Sequence, residues 1–201
     1  MSKIAIDVVL LPSESMTEKA IEVNQKLLQQ YSSKIVLNKE NCFPHISLCM
    51  GVIDENDIPA VTKILAEIGK QFSALNLTAT NLPTHIIPTG DKVADFQIQT
   101  TEKLQLLHEL IMKKLSQFLT YDVSADMLFV PPAIEEVTFY WIKNYPNKLS
   151  FDKYKPHITL GFGEITDIEL PIQFTSSKLA LCQLGNYCTC KKILVSTELR
   201  N

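Results

Sequence analysis

Residues 155–163 read KPHITLGFG, and residues 43–51 read FPHISLCMG. The pattern Pro-His-Ile-(Thr/Ser)-Leu thus occurs twice in a chain of 201 residues that contains four histidines. Successive side chains of an extended strand point to opposite faces, so His45 and Ser47 share one face while Ile46 and Leu48 take the other. His157 and Thr159 stand in the same relation to Ile158 and Leu160. Each copy presents an imidazole beside a hydroxyl, backed by two apolar anchors. One H-x-(S/T) arises readily by chance, but two copies sharing the preceding Pro, the following Leu and a nearby glycine (Gly51, Gly161) point to function.

Outward from the twin, apolar periodicity gives the element order. Residues 3–11 read as a strand, and Ser13 to Ser15 offer caps for an amphipathic helix with Met16, Ala20, Leu27 and Tyr31 on one stripe. Asp57 precedes a second helix whose stripe is Ile58, Val61, Ile64, Leu65, Ile68 and Phe72. Leu75, Leu77 and Ala79 alternate as in a strand, and residues 84–100 form a hairpin turning at Thr89-Gly90-Asp91. Thr100 or Thr101 caps a third helix built on Leu104, Leu107, Ile111, Leu115 and Phe118. Residues 137–145, VTFYWIKNY, read as an aromatic, β-branched strand before the second motif. Residues 178–186 and 188–199 read as a closing pair of strands. This order looks like two diverged copies of one α+β unit, expected to form a single domain, 1–201, of two pseudo-symmetric lobes.

Composition narrows the function classes. With 46% hydrophobic and 20% charged residues, the chain falls among folded globular proteins. A net charge of −3 disfavours a protein that grips long nucleic acid, yet leaves room for a small anionic substrate held by a few cations in a cleft. The five cysteines lack the spacing of a secreted disulfide framework and read as structural thiols. The opening MSKIAIDVVLLP reads as a buried strand, not a signal peptide, because Asp7 interrupts its apolar run. No apolar run is long enough for a membrane span, so the expectation is a cytoplasmic protein with no membrane partner. His108, beside a helix stripe, and His85, on a hairpin without a motif, read as structural.

Two imidazoles and two hydroxyls facing one cleft suit displacement at a phosphodiester. A neutral His takes a proton from the attacking water or hydroxyl, and a protonated one gives a proton to the leaving oxygen. The hydroxyls hold the non-bridging oxygens where charge builds in the transition state. The scheme calls for no cofactor, and no metal ligand set is visible in the sequence.

The paired H-x-(S/T)-L strands resemble those of the two-histidine (2H) phosphoesterase superfamily, and PHITLGFG is similar to the second motif of its 2′-5′ RNA ligase/cyclic phosphodiesterase-like branch. The resemblance implies a bilobal α+β fold, with two antiparallel sheets flanking a central cleft and helices outside. It implies a metal-independent phosphodiesterase acting on 2′,3′-cyclic phosphates or 2′-5′ bonds of nucleotides or RNA ends. His45 and His157 would be the acid/base pair, and Ser47 and Thr159 the phosphate ligands. Phe43, Tyr154 and Lys155 are candidate substrate contacts, with Lys153 and Lys39 as further cations near the motifs. A monomer is expected. The alternative is a nucleotide or RNA-end binding module on the same fold that no longer turns its ligand over.

Overall fold

Strand β1 (Lys3–Leu11) is buried along nearly all its length. A strand with no exposed side belongs at the centre of a sheet covered on both faces. In the computed structural model, which describes residues 2–129 and 133–200, it occupies that place. It lies between β2 (Ile46–Asp54) and β8 (Lys178–Leu184), and β9 (Cys190–Glu198) extends the sheet to the order β2-β1-β8-β9, all antiparallel. The second sheet is built around β5 (Lys92–Ile98). One edge of β5 carries β6 (His157–Phe162); the other carries β4 (Thr84–Ile86) and then β3 (Leu75–Asn81), beyond which lies β7 (Ile172–Ser176).

The architecture is the α+β arrangement read from the sequence, with four α-helices and two antiparallel sheets. The sheets are not, however, built from successive halves of the chain. β6, with the second His motif, joins the sheet of β3, β4 and β5, whereas the closing strands β8 and β9 return to β1. The helices cross over as well. Helix α1 (Glu14–Leu28) packs on β6, while α3 (Glu102–Leu115) and α4 (Glu136–Lys148) pack on β2. Helix α2 (Ile58–Gln71) covers β8 and β9. Among the described residues no helix is long and apolar enough to cross a membrane.

Two readings from sequence are corrected. Residues 137–145 are not a strand but the body of α4. Thr138, Ile142 and Tyr145 recur at helical spacing and are buried, and this period overrides the β-propensity of the aromatic and β-branched residues. Nor are all five cysteines free: Cys182 and Cys190, 5.6 Å apart at Cα across neighbouring strands, form a disulfide. Cys42, Cys49 and Cys188 remain thiols.

The twin motifs are twins in backbone as well. In the first pair Val8 stands opposite Cys49 and Val9 opposite Ser47, so Leu48 bulges out of the ladder. In the second, Ala94 stands opposite Gly161 and Asp95 opposite Thr159, so Leu160 does the same. A bulge bends its strand and re-aims the neighbouring side chains. It falls on the same motif residue in both sheets.

Candidate active site

Each motif histidine follows a proline that turns the carbonyl two residues back toward the imidazole. Nδ1 of His45 lies 2.7 Å from the Phe43 carbonyl, and Nδ1 of His157 lies 2.9 Å from that of Lys155. A carbonyl only accepts, so Nδ1 carries the proton in both rings, and Nε2 is the nitrogen left to exchange one. His45, Ser47, His157 and Thr159 all line one cavity of about 980 Å³ between the sheets. That volume lies in the range of small-molecule sites.

The two sides of the cavity differ electrically. His45 is 14% exposed, and burial pushes its imidazole down to about 4, with the charge of His157 acting in the same direction. Its Nε2 lies 4.0 Å from Oδ2 of Asp7, a carboxyl on β1 with no exposure. Burial pushes Asp7 up to about 7 against its hydrogen bonds. Ser47 Oγ donates to Asp7 Oδ2 at 2.5 Å. His45 and Asp7 therefore share the neutral form over most of the range between those values, as expected of a buried acid beside a buried base. On the other side, the Asp95 carboxyl is likewise raised by burial but drawn back by the charges of His157 and His85. Asp95 Oδ2 lies 3.2 Å from Nε2 of His85.

The motif strands are held from behind by two buried polar side chains in matching positions. Asn24, on α1, donates to the carbonyl of the bulged Leu160 at 2.6 Å. It also donates to the Ile35 carbonyl and accepts from the Leu37 N–H, in the segment leading to the first motif. His108, on α3, donates from Nδ1 to the carbonyl of the bulged Leu48 at 2.7 Å, and its Nε2 accepts the Phe151 N–H at 2.8 Å. Each helix thus ties the bulge of one motif to the approach segment of the other. Gly161, at φ +143°, is part of this arrangement, because a Cβ there would lie 2.9 Å from the Asn24 amide nitrogen.

The candidate substrate contacts fare unequally. Phe43 and Lys155 line the cavity, as does Lys153, whose Nζ donates to the Asn147 carbonyl. Tyr154 also borders it, but is 7% exposed, stacked on His108 at 3.9 Å, and donates its hydroxyl to the Ser47 carbonyl. It acts as a further strut between the motifs and has no free face for a base. Lys39 is bound to Glu14 and Glu18 away from the cleft.

Sequence reasoning passed over Asp7, seen only as an interruption, and His85, which lines the cavity. It also passed over Val137, Trp141 and Tyr145, which line the cavity at intervals of four along α4, and over Phe162 and Tyr187, which line it packed edge to face on one another. Among the described residues no group of three or more His, Cys, Asp or Glu is placed to hold a metal ion.

Two antiparallel sheets enclosing a cleft, with a histidine strand from each, make a fold shared with solved structures of E. coli LigT and of a protein described as a phosphoesterase. The chain is similar over the full length of both molecules to E. coli LigT, at TM-score 0.55 and 12% identity in the complex with phosphate, and at 0.55 and 13% in that with 3′-AMP. It is similar to TT0787 of Thermus thermophilus at TM-score 0.58 and 15% identity, covering 98% of this chain and 99% of the other. No family model and no curated protein matches the chain in sequence.

Proposed function

We propose that the protein is a phosphodiesterase that opens 2′,3′-cyclic phosphates, or cuts 2′-5′ phosphodiester bonds, of nucleotides or RNA ends. His45 is the general base. Burial keeps its Nε2 unprotonated at neutral pH and available to take a proton from the attacking water. The water oxygen bonds to phosphorus, the bond to the 2′ or 3′ oxygen breaks, and His157, beside the Asp95 carboxyl, gives its proton to that leaving oxygen. Ser47 and Thr159 donate to the non-bridging oxygens as charge builds on them.

The observation that carries this reading is the pair of identically tethered imidazoles on one cavity, each two residues from a hydroxyl on the same strand face. The size of the cavity suits a nucleotide, and Trp141, Phe162 and Tyr187 offer aromatic surface for a base. That LigT was solved with 3′-AMP, a nucleoside monophosphate, is consistent with such a ligand. Ser47 serves this role best while Asp7 is protonated. The acid then donates to Ser47 Oγ, and the hydroxyl proton is free to turn to the phosphate.

The test is turnover of 2′,3′-cyclic AMP and 2′-5′ oligoadenylate by the purified protein in excess EDTA, with the monophosphate identified. Product formed in chelator supports the reading. Binding by calorimetry with no product from either substrate would reduce it to a binding module.

A further inference from the structure

His85 and Asp95 form a pair that the architecture does not require. The matching bulges make Asp95, opposite Thr159, the counterpart of Val9, opposite Ser47. They likewise make His85, opposite Val93, the counterpart of Cys182, opposite Asp7. The first sheet folds with Val9 and Cys182 at these places, so the carboxyl and the imidazole are additions to the second. They are poor additions for stability. Asp95 is 6% exposed, and its side chain has His85 as its ion-pair partner among the described residues. An ion pair with one buried carboxylate gains little against an apolar pair of similar size.

The placement is informative. His85, Asp95 and Thr159 lie on three neighbouring strands, β4, β5 and β6, and all line the cleft with His157. Two strand spacings and a two-residue offset along β5 put His85 roughly 12 Å from Thr159 across the sheet. The His85 side chain is 60% exposed. Asp95 fixes one ring nitrogen and leaves the rest of the ring open to the cleft.

Resting on the phosphodiesterase reading above, we propose that His85, oriented by Asp95, is a second anion subsite that takes a phosphate other than the one being cleaved. The preferred substrates are then nucleotides or RNA ends that carry a further phosphate across the ribose from the reacting one, not nucleosides bearing the cyclic phosphate alone. Asp95 is the positioning residue of this subsite, and His85 the contact.

The experiment compares kcat/KM for adenosine 2′,3′-cyclic phosphate with and without a 5′-phosphate, in the wild type and in His85→Asn. A charge-assisted hydrogen bond predicts a wild-type preference for the 5′-phosphorylated substrate of about tenfold or more. In His85→Asn the ratio falls to within about twofold of one. A wild-type ratio near one, or an unchanged preference in His85→Asn, overturns the subsite and leaves the phosphodiesterase reading standing. No turnover of either substrate, nor of 2′-5′ oligoadenylate, by the wild type overturns both.

Discussion

Replacing Asp7 with Asn should give the protein an acid-dependent stability that the wild type lacks. Burial lowers His45 from 6.5 to about 4, so its protonation is disfavoured in the folded state. Its contribution is fully present above 6.5 and is lost as pH falls toward about 4, an interval worth about 3 kcal/mol at roughly 1.4 kcal/mol per pH unit. Asp7 has the opposite sign. Raised from 3.8 to about 7, it contributes stability that is present below 3.8 and lost as pH rises through about 7, worth about 4 kcal/mol on the same scale. Between pH 4 and 6.5 the unfolded chain carries a proton on His45, and the folded chain carries one on Asp7. Proton numbers match, and the two slopes cancel. Asp7→Asn removes one side of the balance. Urea unfolding at half-unit steps from pH 4 to 7 should show wild-type stability nearly level in this range and the variant losing about 3 kcal/mol from pH 6.5 to 4. The m-value should be unchanged. Parallel wild-type and variant curves would refute the assignment of that proton to Asp7.

Three other outcomes follow from the same geometry. His108→Ala leaves the Leu48 carbonyl and the Phe151 N–H without partners and opens a cavity under Tyr154, so it should destabilise by about 3–5 kcal/mol in urea unfolding. His108→Phe keeps the ring against Tyr154 and should recover only the cavity part. Gly161→Ala forces a Cβ against the Asn24 amide at a positive φ and should cost about 2–4 kcal/mol, read as a drop in Tm of roughly 10 °C. In the pH dependence of kcat/KM, ionisation of Asp7 near pH 7 recaptures the Ser47 proton and should deepen the alkaline decline; Asp7→Asn should make that decline shallower while leaving the part that follows from His157 as proton donor.

What the sequence revealed was what a short window contains. The two motifs, their shared faces and the stripes of α1, α2 and α3 are local patterns, and they appear in the structure where periodicity put them, except that α1 ends at Leu28 and Tyr31, read as part of its stripe, lies exposed beyond it. Residues 137–145 were ambiguous because Val, Thr, Phe, Tyr and Trp suit a strand, and only the core under Thr138 and Ile142 shows which period governs. Asp7 gave no signal beyond a charge in an apolar run, because its partners lie 38 and 40 residues away on β2's approach and strand. His85 carries no motif, and its partner Asp95 meets it only because the hairpin closes. Tyr154 borders the cavity, but its contacts are with His108 and the Ser47 carbonyl, which no spacing rule connects to it. The pairing of β6 with β5, and of β8 with β1, is likewise long-range information.

The central claim is that His45 and His157 divide proton removal and proton donation between them. It is tested most directly by comparing kcat/KM for 2′,3′-cyclic AMP with that for a p-nitrophenyl phosphodiester, whose leaving group departs without a proton, in His45→Ala and His157→Ala. On the cyclic nucleotide both variants should fall by about a hundredfold or more. On the nitrophenyl ester His157→Ala should recover most of its activity while His45→Ala remains impaired. Both variants matching the wild type on the cyclic nucleotide would contradict the account.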